Sequence, residues 1–250
     1  MDEITSDEDP LISTARLTAL GRFSGQVRGM TIFRITPILH SEPNPFSTRF
    51  VSPGAMRYER IDGGTLEELA ADFFDRCHGW ASIVGPHGSG KSTLIANLKE
   101  VLQKRSNVHS YRFSTTDRGF QLLWNESQQW QPKDVVIVDG YEQLATWLRW
   151  RLHYRTYLRR ACLLISAHND YPTFPILWRT AVDEEQAKRL RNELLETRPD
   201  LIEAADLEVA WSVARQTHPT DMRETFMTMY DWVEMQKQKR PASHNNSRAV

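Results

Sequence analysis

Gly85-Pro86-His87-Gly88-Ser89-Gly90-Lys91-Ser92-Thr93 is the stretch on which the reading of this 250-residue chain turns. Its three glycines let the backbone turn tightly and aim successive N–H groups at one point, the geometry that cradles phosphate oxygens. The stretch fits G-x-x-x-x-G-K-[ST], in which the lysine neutralises β/γ-phosphates and the next hydroxyl, here Ser92, ligates Mg²⁺. Accident produces such a match in about one chain of this kind in a few hundred. Its setting adds weight. The apolar run 80–84 (WASIV) ends just before it, and residues 91–104, with Leu94, Leu98, Val101 and Leu102 on one face, read as a helix. The positive end of that helix adds to the anion site.

Further β-rich runs follow at 108–113 (VHSYRF), 134–138 (DVVIV), 161–166 (ACLLIS) and 174–178 (FPILW), with helical segments such as 141–158 between most of them. The alternation predicts an α/β fold, a doubly wound parallel sheet of about five strands within residues 21–180. Residues 1–20 are acidic and read as mobile. Residues 30–62 hold four prolines and two β-like runs (TIFRIT and RFVSPGAMRYERI), which predicts an extended segment laid across the domain. Thr65 and Glu68 fit a capping box opening the next helix. After Arg179 the strand signals stop. Ala187, Leu190 and Leu194 mark a helix ended by Pro199; Leu207, Ala210, Trp211 and Ala214 mark a second. Met222, Phe226, Met229, Tyr230 and Val233 mark a third, capped by Thr220. Residues 181–238 therefore read as a three-helix lid and 239–250 as a polar tail.

Charge and composition bound the function. With 31 basic and 32 acidic side chains the formal net charge is −1, which argues against a chain-wide electrostatic grip on nucleic acid. Cys77 and Cys162 lack metal-ligand spacing and read as thiols of a reducing cytoplasm. No apolar run reaches the length of a membrane span and the N-terminus has no signal-peptide pattern, so a cytoplasmic protein is expected.

Residues 135–139 (VVIVD) end an apolar strand on a carboxylate, which is the Walker B pattern following a Walker A loop at 85–93; Asp139 then holds Mg²⁺ through water. Taken together, these motifs resemble P-loop NTPases of the branch with an additional catalytic acid, nearest to AAA+ and STAND ATPases. The resemblance covers residues 65–180 well and 181–236 weakly. It implies ATP and Mg²⁺ as ligands and a Glu near Asp139 that polarises the attacking water. Gly140 occupies the adjacent position, so the nearest acid, Glu142, becomes the candidate base. A polar residue after the fourth strand, His168 or Asn169, would sense the γ-phosphate. Arg223, near the start of the last helix, would act as a lid sensor. A 161–166 strand lying between the loop strand and the Asp139 strand would mark this branch.

Each candidate has a plainer alternative: Glu142 complementing a helix dipole, His168 bonding a loop, Arg223 in a solvated pair. The helix 147–160 carries Arg151, Arg155 and Arg159 inside the arc of Leu144, Leu148, Leu152 and Leu158. Three readings compete there: packed stems with snorkelling heads, a phosphate or arginine-finger role across a subunit interface, and contact with single-stranded nucleic acid. No guanine-specifying [NT]KxD motif occurs, which favours ATP. All 12 glycines lie at or before Gly140, which removes an ABC-type signature loop. The stretch 168–173 is too short for the helix that carries the arginine finger in typical AAA+ proteins. The expected activity is that of a Mg-dependent ATPase or ATP-gated switch. Alternatives are a P-loop small-molecule kinase, a non-hydrolysing ATP-binding adaptor with a protein partner or self-association, and a nucleic-acid-stimulated ATPase.

Overall fold

The computed structural model of the chain describes residues 43–114 and 119–239. The acidic stretch 1–20, the TIFRIT run and the tail from residue 240 on lie outside the described residues. In chain order the elements are α1 (Thr48–Val51), α2 (Leu66–Asp75), β1 (Trp80–Val84), α3 (Lys91–Gln103), β2 (Val108–Arg112), α4 (Gly119–Glu126), β3 (Val135–Asp139), a 3₁₀ turn (Tyr141–Gln143), α5 (Thr146–Arg159), β4 (Cys162–Ala167) and β5 (Ile176–Arg179). Four helices complete it: α6 (Glu184–Leu195), α7 (Pro199–Ile202), α8 (Leu207–Thr217) and α9 (Met222–Lys239).

The five strands form one parallel sheet in the order β2-β3-β4-β1-β5. β4 thus lies between the loop strand and the Asp139 strand, the order expected for the additional-acid branch. Side-chain alternation builds a layer on each face. Val135 and Ile137 of β3 join Leu69 and Phe73 of α2 and Leu94, Leu98 and Leu102 of α3 in one apolar cluster. Val136 and Val138 join Leu123 of α4 and Leu152 of α5 in the other. A strand buried on both faces has no polar side to show, which is why VVIV reads as a continuous apolar run.

Several expectations need correction. RFVSPGAMRYERI forms no strand among the described residues; Thr48–Val51 is a single helical turn followed by loop. The helix expected over 141–158 is split. Gly140 turns at φ +82°, a 3₁₀ turn follows, Leu144 is extended, and α5 starts only at Thr146. A Cβ at Gly140 would sit 2.5 Å from the Phe113 carbonyl oxygen, so the position after Asp139 has no room for a glutamate. Pro199 opens the short α7 at its first position, where the missing N–H costs nothing, so the C-terminal region holds four helical segments instead of three. Asp221, not Thr220, caps α9, its Oδ1 accepting from the N–H groups of Arg223 and Glu224 at 3.0 and 3.2 Å. The Thr65–Glu68 capping box is present as read.

The arginine-bearing face of α5 also differs from its helical wheel. Leu158 is exposed, whereas the guanidiniums of Arg151 and Arg155 lie 4.1 and 5.3 Å from the ring centroid of Trp124 on α4. Both side chains pack along the protein, as the stem-packing reading requires. No helix among the described residues is long and apolar enough to cross a membrane.

Candidate functional site

The site is built where β1, β3 and β4 end, because parallel strands in register deliver their carboxyl ends to one edge of the sheet. β1 stops at Val84, and the loop runs to Gly90, which at φ +89° precedes the first turn of α3. Gly85 donates its N–H to the Ala167 carbonyl at 3.2 Å. Pro86 and His87 are exposed, Ser89 is buried, and Gly88, Ser92 and Thr93 are half-buried. Ser89 braces the loop: its hydroxyl meets the Pro86 carbonyl at 2.8 Å and the Thr180 hydroxyl at 2.6 Å. Gly88 turns at φ +64° and lies flush against Asp221, which brings the start of α9 to the loop.

Lys91 is buried at the centre of the arrangement. Its Nζ donates to the carbonyls of Gly85 and Pro86 at 2.6 Å each and to His168 Nδ1 at 3.1 Å. Burial pulls its pKa below that of an ordinary lysine, while the carboxylates of Glu142, Asp139 and Asp221 act in the opposite direction. On the far side of the imidazole, His168 Nε2 meets Glu142 Oε1 at 2.9 Å. A carboxylate only accepts, so Nε2 carries the proton of this contact, while Nδ1 faces both the Lys91 ammonium and, at 3.2 Å, the Gly85 carbonyl oxygen. His87 packs its ring on His168, with centroids 3.7 Å apart. Glu142 Oε2 is buried with no hydrogen-bond partner among the described residues. A buried carboxylate oxygen in that position has acceptor capacity to spare for a hydrogen-bond donor.

Asp139 is buried at the end of β3. Its Oδ1 accepts from the Ser166 hydroxyl at 2.5 Å and its Oδ2 from Arg112 Nε at 3.0 Å. The Ser166 hydroxyl also accepts from the Gly140 N–H at 2.9 Å. Among the described residues no group of three or more His, Cys, Asp and Glu side chains forms a metal cage. The hard oxygen donors of Asp139 and Ser92 suit Mg²⁺, an ion that keeps several waters and takes the rest of its shell from phosphate.

Of the sequence candidates, then, Lys91, Glu142 and His168 come together in one chain of contacts, with Asp139 beside them. Asn169 is exposed and makes no side-chain hydrogen bond among the described residues; Arg223 is exposed on the first turn of α9. Ser166, Arg112, Thr180 and Asp221 belong to the site but carry no motif. Ser166 alone left a trace, as a hydroxyl interrupting the apolar run ACLLIS.

No family model matches the chain, and no curated protein matches it in sequence. Solved structures do. The chain is similar to the Holliday junction branch migration motor RuvB of Thermotoga maritima, at 14% identity over 69% of this chain and 72% of that one, with a TM-score of 0.42. It is similar to AMPPCP-bound DnaA from Aquifex aeolicus, at 12% identity over 69% and 65% and a TM-score of 0.43. Drosophila ORC bound to DNA follows at 15% identity over 67% and 64%, with a TM-score of 0.39. Identities this low leave the chemistry to be read from this chain's own side chains.

Proposed function

We propose that the chain binds Mg-ATP at residues 85–93 and hydrolyses it slowly, as an ATPase or ATP-gated switch. What carries this reading is the line Lys91–His168–Glu142, two contacts of 3.1 and 2.9 Å that end on Glu142 Oε1 and leave the buried Oε2 of the same carboxylate without a partner among the described residues. The loop amides and the start of α3 take the phosphates, and Lys91 exchanges its bonds to the Gly85 and Pro86 carbonyls for bonds to the β/γ oxygens. Ser92 and Asp139 would hold Mg²⁺, which supplies charge neutralisation between the β- and γ-phosphates when bound. Glu142 Oε2 accepts the proton of a water whose oxygen attacks the γ-phosphorus. The bond to the β–γ bridging oxygen breaks, and ADP and phosphate leave. His168 fixes the other carboxylate oxygen, so the carboxylate is aimed before substrate arrives. Arg223 and Asp221, at the start of α9, put the lid in position to follow the occupancy of the loop.

The test is steady-state phosphate release and Mg-ATP binding. Glu142→Gln is expected to lower turnover about 10²–10⁴-fold with binding retained, and Lys91→Ala to abolish binding. Wild-type turnover in the Glu142→Gln protein rules out Glu142 as the base. Phosphate transferred to an added metabolite, with no release in its absence, would move the assignment to a kinase.

A further inference from the structure

Glu142 has to be held in place by something other than its neighbours in sequence, because it sits on a three-residue 3₁₀ turn between a left-handed glycine and an extended leucine. Such a turn leaves carbonyls without helical partners. Arg149, on the first turn of α5, takes one of them: its Nη2 donates to the Glu142 carbonyl oxygen at 2.8 Å. The same guanidinium lies 5.2 Å from the ring centroid of Tyr141 and 5.3 Å from that of Tyr171. Those two rings meet edge to face at 5.0 Å. Tyr141 is on the turn that carries Glu142, and Tyr171 is on the loop that leaves β4 three residues after His168.

Each anchor is itself braced. The Tyr141 hydroxyl meets His153 Nε2 at 2.8 Å. Burial pushes the Tyr141 phenol up to about 12 and the His153 imidazole down, so the phenol keeps its proton and donates it to a neutral ring. Tyr171 accepts the Phe174 N–H on its carbonyl at 2.9 Å, and Phe174 stacks on Trp80 at 5.3 Å. Among the described residues Arg149 Nε is buried without a hydrogen-bond partner, and the guanidinium's contacts are the Glu142 carbonyl and two ring faces.

We propose that Arg149 is a positioning residue for the hydrolytic step, stapling the Glu142 turn to the loop that follows His168 and so setting the Glu142–His168 contact. This rests on the reading of Glu142 as the general base. Arg149 reaches Glu142 only through its main-chain carbonyl and touches no reacting atom, so its loss acts on aim and not on charge transfer. Lysine is a poor replacement: a compact ammonium cannot lie flat between two rings while keeping a planar N–H on the carbonyl.

The experiment compares full-length wild type, Arg149→Ala, Arg149→Lys, Tyr171→Leu and Glu142→Gln by steady-state turnover, Mg-ATP titration and thermal unfolding. Arg149→Ala is expected to lower kcat on the order of 10²-fold, the scale set by a misplacement of about 1 Å. Its Kd for Mg-ATP should stay within about twofold of wild type, since uniform binding is untouched. Arg149→Lys should remain at least about tenfold down in kcat, for want of the planar fork. Guanidinium chloride at sub-denaturing concentration should restore part of the Arg149→Ala turnover and none of the Glu142→Gln turnover. Tyr171→Leu, which removes one ring face and spares the carbonyl contact, should lose about tenfold in kcat, and it keeps the proposal testable if Arg149→Ala does not fold. Wild-type kcat in both Arg149→Ala and Tyr171→Leu, beside an inactive Glu142→Gln, overturns the staple alone. A parallel loss of kcat, Mg-ATP affinity and melting temperature overturns it too, since that is the mark of a general structural role. Wild-type turnover in Glu142→Gln removes the underlying reading of the base and the staple with it.

Discussion

The carboxyl ends of β1, β3 and β4 and the helices from α6 to α9 differ in what their buried side chains touch. At the strand ends, charged groups are inside and touch one another: Lys91, His168 and Glu142 in line, with Asp139 held by Ser166 and Arg112. In the helical region the interior is apolar, built on Leu195, Leu207, Trp211, Phe226 and Val233, with Phe46 stacked on Phe226 at 5.8 Å. Its arginines are laid against that interior and reach out to exposed acids: the buried Arg191 meets Glu208 at 2.9 Å and lies over the Trp211 ring at 5.2 Å, and Arg215 meets Glu184 at 3.2 Å. The first region is sensitive to which atom carries a charge or proton. The second is sensitive to volume.

That contrast can be broken most sharply at Trp211, among the largest fully buried side chains. Trp211→Ala is expected to cost about 3–5 kcal/mol by leaving a cavity. Chemical denaturation measures the loss, and Mg-ATP affinity measured well below the melting temperature should not change. A shift in affinity in the folded variant would mean that the helical core and the nucleotide site are not separable.

Ser166→Ala should give the next largest effect. It removes the Oδ1 bond of Asp139 and the acceptor of the Gly140 N–H, leaving two buried polar groups without a partner, at about 1–3 kcal/mol. The Mg²⁺ concentration for half-maximal turnover should rise as well, because Asp139 loses its orientation. A stability loss with an unchanged Mg²⁺ requirement would make Ser166 a packing residue and blur the distinction.

The smallest effect is expected at the rim. Glu208 is largely exposed, and its hydrogen bond from Arg191 holds its carboxyl below the usual carboxylate range. A depressed folded-state pKa contributes stability above the unfolded value and loses it as pH falls through the folded value. Glu208→Gln should therefore cost no more than about 1 kcal/mol near neutral pH. The gap to wild type should close in acid, read from denaturation curves across that range. A gap that persists in acid would assign the effect to packing.

Legibility followed range along the chain. The loop at 85–93, the capping box at Thr65 and the five strands are local patterns, and the structure moves the strand ends by only one or two residues. Glu142 could be named because the resemblance implies an acid near Asp139 and Glu142 is the nearest one, yet nothing near it announces Arg149, whose action passes through a carbonyl and two rings. The β-like run at 49–61 misled because Phe50, Val51, Tyr58 and Ile61 raise β propensity in a segment that pairs with no strand among the described residues. The single helix expected over 141–158 misled for a related reason: helical spacing survives a break when Leu144 and Leu148 stay in phase.

By itself the sequence determined the phosphate-type loop, because glycine torsions, a lysine and a helix start are properties of adjacent residues. It also determined the sheet class, since fully buried strands must be apolar throughout. Only the tertiary structure decided that β4 lies between β1 and β3, and with it that His168 stands between Lys91 and Glu142. Residues 77 and 26 positions apart meet there because parallel strands in register end together, and no local periodicity encodes which strands are neighbours.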